Sequence, residues 1–263
     1  MPDQPTTRTS RSTPAMVRAI VLLVPLAGAW TACGRTALAE DWPTVMHDNQ
    51  RTGVTREAVR PPLGLLWTFR SPWPPAAGWA QPVNGYGARK SKPNVSHDDA
   101  FRVIASGGSC YFSSSAENRV YAIDADTGTI RWTFFTGAAP RLAPAYWKGR
   151  LYVGSDDGVF HCLDARTGKV GWQVAAAPRR EMMLGHGRFS SVWPIRSGGI
   201  VDDGVAYFTS GLFPSEGLTF HAVRADDGTV IWRKRIDGTG HVPQGYILAA
   251  GGSLFTTSRT APA

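Results

Sequence analysis

The phrase "VYAIDADTGTIRW" at residues 120–132 returns as "VFHCLDARTGKVGW" at 159–172 and as "TFHAVRADDGTVIW" at 219–232. Each copy places a glycine four residues before a tryptophan: Gly128 and Trp132, Gly168 and Trp172, Gly228 and Trp232. Self-similarity of this kind constrains a chain more than local propensity does, because each copy must be one supersecondary unit that buries its apolar face against the next.

The segments upstream repeat as well. "GSCYFSSS" (108–115), "KGRLYVGS" (148–155), "DGVAYFTS" (203–210) and "GGSLFTTS" (251–258) each run from a small or turn residue through alternating apolar positions to a serine. One unit is therefore a strand, a turn, a second strand, an Asp-x-x-Thr-Gly turn and a third strand carrying the tryptophan. A further strand must come from linking segments such as "GAAPRLAPAYW" at 137–147. With 29 Gly and 19 Pro and no sustained helical apolar period, the chain reads as all-β.

The turn residues have physical reasons. Asp and Thr side chains bond nearby backbone groups, and Gly takes the positive φ that such a hairpin corner requires. A tryptophan buries about 150–250 Å², enough to fill the gap between one small sheet and the next. Four-stranded sheets of about 40 residues, joined at tryptophan corners, predict the blades of a β-propeller. A sandwich of stacked sheets has no need of one such corner per unit.

The first 39 residues differ in kind. A polar stretch with Arg8, Arg11 and Arg18 leads into apolar "AIVLLVPLAGAW" and then "ALA" at 37–39, the order of a secretory signal. The apolar run is short for a membrane span, which needs roughly 20 residues. Cleavage after Ala39 leaves 24 basic and 19 acidic residues, net +5, and predicts an exported protein, periplasmic or extracellular. Cys33 permits the rival reading of a lipidated cysteine. Outside Arg179-Arg180 and "ARKSK" at 88–92 the positive residues are scattered, which argues against nucleic acid. Cys110 and Cys162 remain as a pair available to an exported protein or as two separate buried thiols, the reading preferred here.

The pattern Ala-x-Asp-x-x-Thr-Gly-x-x-x-Trp is met in full by Ala122, Asp124, Thr127, Gly128 and Trp132, and it resembles the tryptophan-docking motif of the pyrroloquinoline quinone (PQQ) propeller repeat family. The second unit carries Asp164, Thr167, Gly168 and Trp172, with Cys162 in place of Ala. The third has Arg224 for Asp and Asp227 for Thr, so its corner is expected to use other hydrogen bonds. "DWPTVMHDNQRTG" after the signal, "PRLAPAYWKGRLYVGSDDG" at 140–158, "GRFSSVWPIRSGGIVDDGVAYFTSGLFPSEG" at 187–217 and the final "PQGYILAAGGSLFTTSRTAPA" resemble the bacterial secreted subgroup of that family. The resemblance implies a ring of seven or eight blades. Residues 40–263 hold four tryptophan corners at most, counting Trp67, so an incomplete, truncated set is expected.

The resemblance also implies PQQ with calcium as a cofactor, an Asp base and often an adjacent Cys-Cys pair in the dehydrogenases. This chain has no Cys-Cys pair and no Cys-x-x-Cys-His sequence. The residues themselves call for no cofactor. Asp156 and Asp157 in "GSDDG" are candidate cation ligands, set against a turn with solvated acids. His47, His97, His161, His186, His221 and His241 are dispersed, and His161 and His221 occupy equivalent repeat positions, which marks them as scaffold. No Gly-x-Ser-x-Gly elbow occurs, and Asn94-Val95-Ser96 matches a glycosylation sequon only by its pattern.

The second and third corners are 60 residues apart where the first two are 40 apart. The insertion brings Arg179, Arg180, Met182, Met183, Arg188 and Trp193 onto one segment outside the repeat frame, a candidate partner or ligand surface or a plug over a blade. The expected function is a non-catalytic exported scaffold. A PQQ-dependent dehydrogenase or its remnant, and a lipoprotein similar to the outer-membrane assembly factor, are the alternatives.

Overall fold

The computed structural model describes residues 40–59, 61–76, 78, 100–185, 187–236 and 241–260. Residues 1–39, read from sequence as a secretory signal, with Cys33, the "ARKSK" stretch, the sequon, His97 and His186 lie outside them. No described helix is long and apolar enough to cross a membrane.

Three four-stranded antiparallel meanders follow one another. The first is β1 (Ile104–Ser106), β2 (Ser109–Ser114), β3 (Arg119–Asp124) and β4 (Ile130–Phe135). The second is β5 (Ala145–Trp147), β6 (Arg150–Gly154), β7 (Val159–Asp164) and β8 (Val170–Ala175). A hairpin, β9 (Met182–Gly185) and β10 (Arg188–Ser191), and the short β11 (Ser197–Gly198) fill the insertion. The third meander is β12 (Ile200–Asp202), β13 (Val205–Ser210), β14 (Leu218–Arg224) and β15 (Val230–Ile236), with a 3-10 turn at Pro214–Glu216. Beyond it lie β16 (His241–Pro243), β17 (Gly245–Tyr246), β18 (Leu248–Ala250), β19 (Ser253–Phe255) and β20 (Ser258–Thr260), paired as β16–β20, β18–β19 and a parallel β11–β17. The linking segment at 137–147 does supply the further strand, β5, at one edge of the second sheet.

The register explains the small residue of the repeated phrase. Ala122 lies opposite Trp132, Cys162 opposite Trp172 and Ala222 opposite Trp232, and each sheet carries a bulge one step on. A small side chain beside the indole leaves it room to lean out of its own sheet.

The core lies between the sheets. Tyr111, Val120, Leu151 and Leu163 join the first to the second with Trp132 at the margin. Tyr152, Phe160, Phe208 and Val223 join the second to the third with Trp172 in that role, and the Phe160 and Phe208 rings stack at 4.0 Å. Cys110 and Cys162 are free thiols.

An amino-terminal strap crosses the first strand of each four-stranded sheet. Trp42 exchanges two backbone bonds with Ala105 (2.6 and 3.0 Å), and Tyr146 N–H donates to the Pro43 carbonyl at 2.7 Å. Asn49 Nδ2 donates to the Val201 carbonyl at 2.7 Å, and the Arg51 guanidinium donates to the Ile247 carbonyl at 2.8 and 3.1 Å. The strap thus touches all three sheets and the segment beyond. Burial lowers the Arg51 pKa to about 10.

Candidate functional site

Each corner is a hydrogen-bonded device aimed at the preceding tryptophan. Asp124 Oδ1 accepts from the Thr127 backbone N–H (2.8 Å) and hydroxyl (3.0 Å), and Asp164 accepts the same pair from Thr167 at 2.8 and 2.6 Å. Hydrogen bonds from the Arg131 side chain and from Thr127 hold the Asp124 carboxyl well below its ordinary range, and the Thr167 hydroxyl lowers Asp164. At the third corner Asp227 accepts instead from Thr229 N–H at 2.8 Å, as its altered residues predict.

These turns hold Gly128, Gly168 and Gly228 at φ of 71°, 71° and 77°. The indoles of Trp67, Trp132 and Trp172 lie flat on them, so close that a Cβ would meet ring carbons at 2.6–2.8 Å. Each indole N–H donates to the carbonyl of the corner it covers: Trp67 to Ala125 at 2.8 Å, Trp132 to Ala165 at 2.9 Å and Trp172 to Ala225 at 3.0 Å. Each of these three tryptophans thus closes the next unit's corner. Trp232, with 40% of its surface exposed, lies against Tyr207 and Phe220 of its own sheet.

Two structural roles escaped the sequence reading. The Tyr111 hydroxyl shares the Ala165 carbonyl at 3.2 Å and the Tyr152 hydroxyl shares that of Ala225 at 3.0 Å. The available signal was a tyrosine recurring near the middle of the upstream repeat, as Tyr111, Tyr152 and Tyr207. The closing serines of that repeat also find partners, since Ser155 Oγ meets His161 Nε2 at 3.2 Å and Ser210 Oγ meets His221 Nε2 at 2.8 Å. Burial pushes both imidazoles down, His221 to about 4.

The densest charge lies where the second sheet meets the insertion. Asp156 is 1% exposed, which corrects its reading as a solvated turn acid. Its Oδ2 accepts from Arg141 Nε at 2.6 Å and Arg196 Nη2 at 3.0 Å, and its Oδ1 from Arg196 Nε at 3.0 Å. The reason is topological: the turn at 155–158 points inward and takes backbone bonds from Ser191 and Ile195 of the insertion. Asp157 is likewise occupied, accepting from the N–H groups of Gly137 and Val159 at 2.9 Å and from the Ser155 hydroxyl. A cavity of about 210 Å³ adjoins Arg141, Arg196, Arg188, Met183 and Phe189. That is below the roughly 300 Å³ at which small-molecule sites begin.

The predicted surface segment is a hairpin rather than a loop. Trp193 is buried and donates through Nε1 to the Glu216 carbonyl at 2.7 Å, with the Arg179 guanidinium 4.9 Å above its ring. Met183 packs inward beside Leu212, Leu218 and Val242, and Arg188 Nη1 donates to the Ser115 and Ala116 carbonyls at 3.0 Å. Arg180 and Met182 face solvent.

These features bear on a quinone with calcium, which the family resemblance implies. Calcium takes six to eight oxygen ligands. Among the described residues no three His, Cys, Asp or Glu side chains converge, and both oxygens of Asp156 already accept from guanidinium groups. Asp156 therefore offers no open oxygen to such an ion.

Comparison with known proteins agrees with this architecture. A family model described as outer membrane protein assembly factor BamB, of the PQQ repeat type, matches residues 65–193. The dehydrogenase subunit of the quinone-type alcohol dehydrogenase of Gluconobacter oxydans (strain 621H) is 33% identical over 92 residues, 31% of this chain and 12% of the relative. The quinohemoprotein alcohol dehydrogenase of Comamonas testosteroni is 30% identical over 152 residues, 52% of this chain and 18% of the relative. The crystal structure of that enzyme superposes with a TM-score of 0.51 at 24% identity, over 74% of this chain and 27% of the other. The chain spans less than a fifth of the length of these curated relatives. Over residues 65–193, which carry the interlocked corners of Gly128 and Gly168, the chain is thus similar to the PQQ-repeat family whose model is described as outer membrane protein assembly factor BamB.

Proposed function

We propose that the chain is an exported, non-catalytic β-propeller scaffold that holds a protein or ligand partner in the periplasm or outside the cell. The observation that carries this reading is the state of Asp156. A general base or a metal ligand needs a carboxylate oxygen open to its substrate, and here both oxygens are bound by buried guanidinium groups at 2.6–3.0 Å. The corners support the same reading, since their polar groups join one sheet to the next.

The test is a titration of the purified protein with PQQ and calcium, followed by absorbance and thermal stability. A ligand that binds only the folded state must raise its stability. The expected result is no saturable shift and no oxidation of alcohols with an artificial electron acceptor. Turnover, or saturable stabilisation with a quinone spectrum, would overturn the scaffold reading in favour of a dehydrogenase. Mass spectrometry of the mature amino terminus tests export: cleavage after Ala39 is expected, and a lipidated Cys33 would point to the assembly-factor alternative.

A further inference from the structure

The β9–β10 hairpin presents a bonding edge that the described residues leave open. Gly185 pairs with Arg188 across a two-residue turn, Leu184 with Phe189, Met183 with Ser190 and Met182 with Ser191. In an antiparallel pair, hydrogen-bonded and non-bonded positions alternate. The bond from Val192 N–H to the Glu181 carbonyl fixes the phase. Glu181, Met183 and Gly185 therefore bond to β10, while the N–H and C=O groups of Met182 and Leu184 point away from it along the outer edge. On the other side of the hairpin the outward N–H of Ser191 is used, donating to the Asp156 carbonyl at 2.6 Å. One edge is thus anchored, and the other takes no backbone bond from the described residues.

The side chains beside that edge are apolar and exposed. Leu184 is 69% exposed, Phe189 66% and Met182 39%, on one face because paired residues and residues two apart share a face. Flanking charge is positive: Arg179, Arg180 and Arg188 stand against Glu181 alone. Glu181 is taken by Arg179 at 2.6 Å, Arg188 bonds carbonyls, and among the described residues Arg180 has no carboxylate partner.

We infer that this hairpin is a docking strand for an extended, acidic peptide segment of a partner protein, which adds to the Met182–Gly185 edge and lays alternate apolar side chains on Leu184 and Phe189. Backbone bonds supply attachment and the alternate side chains supply selectivity. Arg180, which has no carboxylate partner among the described residues, selects an acidic partner and speeds its arrival. The inference rests on the scaffold reading and gives the partner's chemical class.

The probe is a fluorescein-labelled peptide of alternating valine and glutamate, followed by anisotropy with the full-length protein and by amide hydrogen exchange. Saturable binding is expected, with slowed exchange at Met182 and Leu184 and affinity lowered severalfold between about 50 and about 300 mM salt. Phe189→Glu, at an exposed position, should weaken it by about tenfold. Leu184→Pro removes an outward donor without removing a bond of the hairpin and should weaken it similarly. Equal binding of a valine–lysine peptide, unchanged affinity in Phe189→Glu, no binding at all, or self-association of the protein through this edge in light scattering would each overturn the inference. The scaffold reading would survive those outcomes, because it falls only on quinone binding or turnover.

Discussion

Single residues carry large consequences where a bond cannot be replaced by water. Asp156 compensates two buried guanidiniums, and removing one partner of a buried ionic set costs about 3–5 kcal/mol because the remaining charge stays desolvated. Asp156→Asn is expected to lower the unfolding free energy by that amount, read in urea as a lower midpoint with the slope unchanged. His221 has the opposite problem. It is buried, stacked on Phe208 at 4.6 Å, and its folded pKa is about 4 against an ordinary 6.5. The unfolded chain therefore takes up the proton first as pH falls. Stability is complete above pH 6.5 and declines toward pH 4, by about 3 kcal/mol from this one group. Thermal unfolding as a function of pH should show that decline, and His221→Leu should flatten it over the same window whatever its absolute stability.

At the scale of an element, the corner acts as a unit. Its glycine cannot bear a side chain: at Gly168 a Cβ would meet Trp132 at 2.6 Å, and φ is already positive. Gly168→Ala should cost about 2–4 kcal/mol, combining backbone strain with a displaced indole. Trp172→Ala should cost about 3–5 kcal/mol, and Trp232→Ala only about 1–2 kcal/mol, because Trp232 covers no corner among the described residues. Denaturant unfolding of the two variants checks the order. The same contrast separates what the sequence reveals from what it conceals. Asp124, Thr127, Gly128 and Trp132 lie within nine residues, so their chemistry is local and repeats visibly. That Trp132 covers Gly168 rather than its own Gly128 is a relation between units, and no residue type announces it. The Asp156 network draws Arg141 and Arg196 from either side of the second sheet, so adjacency in sequence made Asp156 and Asp157 look alike when burial sets them apart. In the insertion, residue types indicated a surface, yet the hairpin turned Trp193 and Met183 inward and Leu184 and Phe189 outward.

For the molecule as a whole, two kinds of connection compete to set how it unfolds. Corner contacts join only neighbours, Trp67 to the first sheet, Trp132 to the second and Trp172 to the third, and such an array opens from its ends in steps. The strap at 42–51 works the other way, because it bonds to Ala105, Tyr146, Val201 and Ile247 and so ties three sheets to one segment. The apolar contacts decide between them: the two interfaces centred on Tyr111 and Leu151, and on Tyr152 and Phe208, bury large side chains, whereas each strap contact is one or two hydrogen bonds worth about 1 kcal/mol apiece. Neighbour coupling should therefore dominate. Gly228→Ala, which disturbs the seat of Trp172, is expected to speed amide exchange in Val205–Ile236 by a factor of ten or more while leaving Ile104–Phe135 nearly unchanged. Equal acceleration in all three sheets would mean that the strap makes them one cooperative unit, and Asn49→Ala would then be expected to reproduce the global effect without touching a corner.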